Sequence, residues 1–246
     1  MSAVVITPTT GMPELADAIR SVANQTHKVD HWIVIDGMEN AQKVIDICRE
    51  NDYGQKIIAI PENTGRPVRH HLGEGRKYNG HRIYGAMAYL INHDAVFLLD
   101  EDNWYEPNHC QSMLFNMDMM NTQWTYSLRN IMDQAGNFIY RDDCDSLGIF
   151  PNWKRIPFVD MNCYCFKAKF YADLAPWFYG ELHADKTIFQ VATARVERHY
   201  QIGTTGMYTV NYRARPDAIT NFFDVGMREI KKMYGENKPW SLQNGK

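Results

Sequence analysis

The arrangement of apolar runs in the first hundred residues restricts the fold more than any other feature of this chain. "AVVIT" (3–7), "HWIVID" (31–36), "KIIAIP" (56–61) and "AVFLL" (95–99) are short, almost continuously apolar, and separated by segments of helical period. In "PELADAIRSVANQ" the residues Leu15, Ile19 and Val22 share one helical face, and in "NAQKVIDICREN" Val44, Ile47 and Cys48 do the same. A further helix is expected around 79–92, after a glycine-rich loop. Apolar strands alternating with helices specify an α/β fold with a mostly parallel, Rossmann-like sheet covered by helices on both faces. At 246 residues, 45% hydrophobic and 13% aromatic, the chain has enough apolar surface for one domain. We expect a nucleotide-binding half over about 1–102, an irregular acceptor half over about 103–216, and a C-terminal amphipathic helix and tail over about 217–246.

In sheets of this kind ligands bind beyond the carboxyl ends of the strands. Thr7, Pro8, Thr9 and Thr10 lie at the end of the first strand, Asp36-Gly37 at the end of the second, and Asp100-Glu101-Asp102 at the end of the fourth. Three adjacent carboxylates repel one another and resist leaving water, so a cation is the simplest reason to aim a buried strand at them. On an extended segment Asp100 and Asp102 face one way and Glu101 the other. Two hard oxygen donors without a nearby Cys or His pair suit Mn²⁺ or Mg²⁺, which complete their shells with water and substrate phosphates. The ligand this implies is a nucleoside diphosphate.

With these residues in place, the chain resembles the nucleotide-sugar glycosyltransferases of family 2, which have the GT-A fold. The resemblance runs over residues 3–215: "VVITPTT", "SVANQT" (21–26), "WIVIDG" and "DED" (100–102) stand in the order of that family's motifs. It implies that Thr7, Pro8 and Thr9 border the nucleotide base, that Asp36 contacts base or ribose, that Asp100 lies near ribose and metal, and that Asp102 binds the metal. "GELHADKTIF" (180–189) matches the place of the family's general base, which would be Asp185, with Asp160, Glu181 and His183 as substitutes. Asn79, Arg82 and Arg213 become candidates for the nucleotide and its diphosphate, and Arg215 stands where some relatives have a metal-binding His. The reaction implied is inverting transfer from a nucleoside diphosphate sugar, UDP-sugar favoured, to a glycan, lipid-linked or protein-linked hydroxyl. Trp104, Trp153, Trp177 and Tyr179 are either sugar platforms or core.

The alternatives are a glycoside hydrolase, whose two carboxylates flank the scissile bond, and a non-catalytic nucleotide- or carbohydrate-binding module. A formal charge of −3, from 26 Lys plus Arg against 29 Asp plus Glu, gives no reason to expect a nucleic-acid partner. Five cysteines without framework spacing read as core thiols in a reducing compartment, the cytoplasm, and zinc is set aside. The tail carries Phe222, Phe223, Met227, Ile230 and Met233 on one helical side. It is expected to dock on its own domain, with a peripheral membrane or dimer contact as the alternative.

Overall fold

The computed structural model describes residues 1–64, 80–179, 184–195 and 202–240. The expected GT-A-type α/β architecture is the one observed. The strands among the described residues are β1 (Ala3–Thr9), β2 (Asp30–Asp36), β3 (Lys56–Ile60), β4 (Ala95–Leu98), β5 (Trp104–Tyr105), β6 (Trp124–Met132), β7 (Phe138–Arg141), β8 (Tyr164–Lys167) and β9 (Gly203–Arg213). Among the described residues they form one sheet in the order β3-β2-β1-β4-β8-β6-β9-β5, with β7 added on β6.

The first four strands run parallel. The second half joins them antiparallel, through β8 on β4, so one sheet passes through both halves of the chain. β1 continues two residues past the stop expected at Pro8. The β1–β4 register ends at the pair Ile6 and Leu98, so Pro8, with no N–H to give, lies beyond that ladder. β3 departs from the expectation of a strand covered on both faces. It is an edge strand with Ile57 at 44% exposure, and its apolar residues fill only part of a face.

The helices are α1 (Leu15–Ala23), α2 (Ala41–Glu50), α3 (His81–Met87), α4 (His109–Met119), α5 (Ala168–Leu174) and α6 (Ala184–Arg195), followed near the C-terminus by α7 (Pro216–Ala218) and α8 (Asp224–Tyr234). α1 and α2 cover one sheet face, packing Leu15, Ile19, Val44 and Cys48 on Ile33 and Ile35. Val34, which alternates with these, points into the main core with Ile83, Tyr84 and Met87 of α3. α3 lies close against the 3₁₀ turn Ala175–Tyr179. A Cβ at Gly85 would come within 2.8 Å of the Ala175 carbonyl oxygen, so only glycine permits this approach.

An aromatic cluster closes the second half: Trp124 is fully buried, 5.9 Å from Phe189 and 5.7 Å from Tyr164 between ring centroids. Ala184, Ile188, Phe189 and Ala192 are the buried side of α6. All five cysteines are buried free thiols. The C-terminal segment passes through a π turn (Ile219–Phe223) into α8 and packs on its own domain. Phe223, Ile230 and Trp240 are buried, and Phe222 stands 5.4 Å from Trp153. Among the described residues no helix is long and apolar enough to cross a membrane.

Candidate functional site

At the carboxyl ends of the parallel strands lies a cleft of about 730 Å³. β1 sends Pro8, Thr9 and Thr10 into it, β2 sends Asp36, and the segment after β4 sends Asp100, Glu101, Asp102 and Asn103. From the second half come Asp160, Asp185 at the start of α6, and Tyr212 of β9. Its described lining includes six carboxylates and neither Lys nor Arg. Gly80, ahead of α3, has φ +76°, and a Cβ there would meet Pro8 Cβ at 3.0 Å; the cleft wall closes at that point because the residue is glycine.

The Asp100–Asp102 segment is a turn rather than the extended chain expected, the Asp100 carbonyl accepting from the Asn103 N–H at 3.2 Å, and all three carboxylates line the cleft. Glu101 turns toward the loop after β1 and holds it. Its Oε2 accepts from Thr9 Oγ1, from the Gly11 N–H at 3.1 Å and from the Met12 N–H at 2.7 Å, and its Oε1 accepts from the Thr10 N–H and Oγ1, both at 3.0 Å. Asp100 accepts from the Tyr84 hydroxyl at 3.0 Å on Oδ1 and from Asn162 Nδ2 at 2.9 Å on Oδ2. Burial, and then the charges of Asp102 and Asp160, push Asp100 up to about 7. Burial is also the main cause that lifts Asp102 to about 6; Glu101 and Asp160 add to it, against the opposing pull of Arg213.

Asp36 is buried, its Oδ1 accepting from the Thr64 N–H. Asp160 is tied down from behind by Arg129, a buried guanidinium that also bonds Asp142 at 2.7 Å and Asp145 at 3.0 Å and lies 4.3 Å under the ring of Tyr212. Asp160 Oδ1 further accepts from Asn162 Nδ2 at 2.7 Å. Of the possible substitute bases it is thus already an ion-pair and hydrogen-bond partner, while Glu181 and His183 lie outside the described residues. Asp185 Oδ1 accepts from the Lys186 N–H at 2.8 Å, and its carboxylate is on the cleft wall.

Not every candidate is gathered here. Thr7 is fully buried and faces His31, 2.9 Å away, so it borders the sheet interior rather than the cleft. Arg213 lies on the other face of β9. Its guanidinium donates to the Asp102 carbonyl at 3.1 Å, the Gln134 carbonyl at 2.7 Å and Asp17 Oδ2 at 2.8 Å, so it braces the metal-candidate segment from behind. Arg82 sits beside the cleft, donating to the Thr64 carbonyl at 3.4 Å and lying 4.8 Å over Tyr179. Arg215 is exposed, 3.7 Å from Asp217. Asn79 lies outside the described residues. Trp153 packs under the C-terminal segment, and Trp177 and Tyr179 are exposed.

Glu101 and Asn162 are the site residues that sequence reasoning missed. No local pattern marks Glu101, whose contacts depend on the turn after Asp100 meeting the loop after β1. For Asn162, sixty residues from its partner, the sequence offers only an Asp-x-Asn ahead of a strand.

As a cation site, Asp100 and Asp102 offer hard oxygens whose ionisation is disfavoured for want of a compensating charge. Among the described residues no group of three or more His, Cys, Asp and Glu is disposed to hold a metal. Two carboxylates are a donor set suited to a hard cation that leaves most of its shell to water and phosphate.

The sheet beneath the cleft and the helices around it form a GT-A-type fold. Among solved structures, the chain is similar to S. aureus TarS. It superposes on residues 1–349 of TarS in complex with UDP with a TM-score of 0.61 at 12% identity, covering 96% of this chain and 66% of that one. For the complex with UDP-GlcNAc the TM-score is 0.62 at 12% identity, covering 96% and 67%. The chain spans about two thirds of those TarS fragments and 40% of the longer TarS chain. At such identity the likeness establishes the fold. No family model and no curated protein matches the sequence.

Proposed function

We propose that this chain is an inverting glycosyltransferase that moves a sugar from a nucleoside diphosphate sugar to a hydroxyl acceptor. The observation that carries this reading is the convergence of Asp36, Asp100, Asp102 and Asp185, from three separate parts of the chain, on one cleft at the carboxyl ends of the parallel strands. TarS, whose fold is similar, has been solved with UDP and with UDP-GlcNAc, which supports a UDP-sugar as donor.

On this reading Asp36 and the Pro8–Thr10 loop hold the nucleoside, and Glu101 keeps that loop in register. Asp100 and Asp102 would hold Mn²⁺ or Mg²⁺, whose positive charge would offset the negative charge of the diphosphate leaving group. Asp185, on the opposite wall, takes the acceptor hydroxyl proton as its oxygen attacks the anomeric carbon. A single displacement of this kind inverts the anomeric centre. Asn162 and Tyr84 orient Asp100, and Asp160 is held by Arg129 as part of the cleft floor. Acceptors are glycans or glycan carriers, lipid-linked or protein-linked.

Thermal-shift measurements with a panel of nucleoside diphosphates, their sugars and free oligosaccharides, each with and without Mn²⁺, test this directly. A ligand that binds only the folded chain raises its melting temperature. The expected result is stabilisation by UDP and a UDP-sugar that increases with Mn²⁺. Stabilisation by oligosaccharides alone, with no nucleotide effect, would replace the reading with a hydrolase or a carbohydrate-binding module.

A further inference from the structure

A second cavity, of about 490 Å³, is built on the far face of β9. Tyr212 lines the acidic cleft while the next residue, Arg213, lines this cavity, as strand alternation requires. The rest of its wall comes from Asp17, Arg20 and Asn24 in and just after α1, from Trp104 of β5, and from Glu106. The end of β9 and the β5 segment thus separate two pockets of different chemistry.

The first pocket is anionic. In the second, Arg20 and Arg213 are matched by Asp17 and Glu106, and the pairing is explicit: Asp17 receives Arg20 on Oδ1 and Arg213 on Oδ2. Arg213, only 9% exposed, is held by its three acceptors and lies 4.9 Å over the Trp104 ring, which fixes one side of the indole. Gly136, with φ +86°, borders the ring's outer end, where a Cβ would approach Trp104 Cη2 to 3.5 Å. A cavity with balanced charge has no excess of cations to attract a phosphate or carboxylate. What it presents is a half-buried indole, an amide and fixed planar hydrogen-bonding groups, a combination that matches the apolar faces and hydroxyl edges of a sugar.

We infer that this cavity is an accessory binding site for a neutral saccharide, with Trp104 as its platform and Asn24, Arg20 and Glu106 as hydroxyl partners. The site needs neither nucleotide nor metal, so it stands apart from the transfer reaction proposed above. It would hold a stretch of glycan away from the acidic cleft.

The test is titration calorimetry of the whole chain with neutral cello-, malto- and chito-oligosaccharides, in the presence of saturating UDP and Mn²⁺. Saturable binding of at least one series is expected. Trp104→Ala should weaken it about tenfold or more, and Asn24→Trp, which puts a ring in the mouth of the cavity and spares β5, should do the same. Melting temperatures would confirm that both variants are folded. The same titration without UDP and Mn²⁺ should give the same affinity, which separates this site from the cleft. Absence of binding by all three series, binding that persists in either variant, or binding seen only without UDP and Mn²⁺ would each overturn the inference.

Discussion

Asn162 grips Asp100 with both ends of its amide. Its Oδ1 accepts the Asp100 backbone N–H at 2.6 Å, and its Nδ2 donates to Asp100 Oδ2 at 2.9 Å. Asn162→Ala would leave a part-buried N–H without its acceptor and a carboxylate oxygen without its donor. The expected loss is about 1–3 kcal/mol of stability, together with weaker metal-dependent nucleotide binding, read by denaturant unfolding and calorimetry on the same preparation.

Asp102 gives a pH signature. Folded, it releases its proton near pH 6, against an ordinary value of 3.8. Between those values the folded state binds more protons than the unfolded one, so this group costs stability as pH rises through the window. Asp102→Asn removes the cost. In the absence of metal the variant should be more stable than wild type at pH 8 by on the order of 1–3 kcal/mol, with the gain vanishing near pH 4. It should also lose Mn²⁺-dependent nucleotide binding; a variant with full metal-dependent affinity would remove Asp102 as a ligand.

Glu101 should behave quite differently from the two aspartates beside it. Glu101→Gln replaces one acceptor oxygen by a donor facing other donors, at a cost of about 1–3 kcal/mol. Hydrogen exchange should quicken at Thr10, Gly11 and Met12, and affinity for the nucleoside diphosphate should fall with or without metal. Unchanged exchange in this loop would show that the clamp is dispensable.

Asp185→Asn separates catalysis from capping. A general base contributes about 10²- to 10⁴-fold, whereas a carboxylate in the first turn of a helix is worth roughly 0.3–1 kcal/mol. The variant should bind donor almost as wild type does, stay folded, and transfer sugar at a small fraction of the normal single-turnover rate. Near-normal transfer would move the base elsewhere.

Two buried histidines set the acid limit. Burial holds His31 and His109 at about 3, so both are neutral in the fold. The unfolded chain takes up these protons below about pH 6.5, and stability is lost as pH falls from there toward 3. At pH 5 each should cost about 2 kcal/mol. The difference in melting temperature between pH 7 and pH 5 should therefore shrink in His109→Gln, in which the side chain can still reach Thr209.

The strand ends were readable because they depend on local pattern: an apolar run, a helical period, and polar residues at each junction. That logic places Pro8, Thr9, Asp36, Asp100 and Asp102 around one cleft, which Asp185, indicated by the family resemblance and not by local pattern, also lines. It fails where pairing decides. Thr7 looks like a strand-end residue open to a ligand until β1 is seen to run to Thr9 beside β2, which buries it against His31. Arg213 looks like a phosphate ligand until its register on β9 shows which face it takes. Asn162 and Arg129 are partners across long sequence separations, which no local pattern encodes.

The C-terminal segment is fastened at one carboxylate. Asp143 collects the Tyr208 hydroxyl from β9, Lys238 Nζ at 2.6 Å and Trp240 Nε1 at 2.7 Å. Any shortened version of the protein that stops before Lys238 would strip two of these three donors from a buried acid and uncover the groove filled by the Trp240 ring. A gene trimmed at the end of α8 should therefore yield a poorly soluble product, and an affinity handle is better placed beyond Trp240 than spliced in ahead of it.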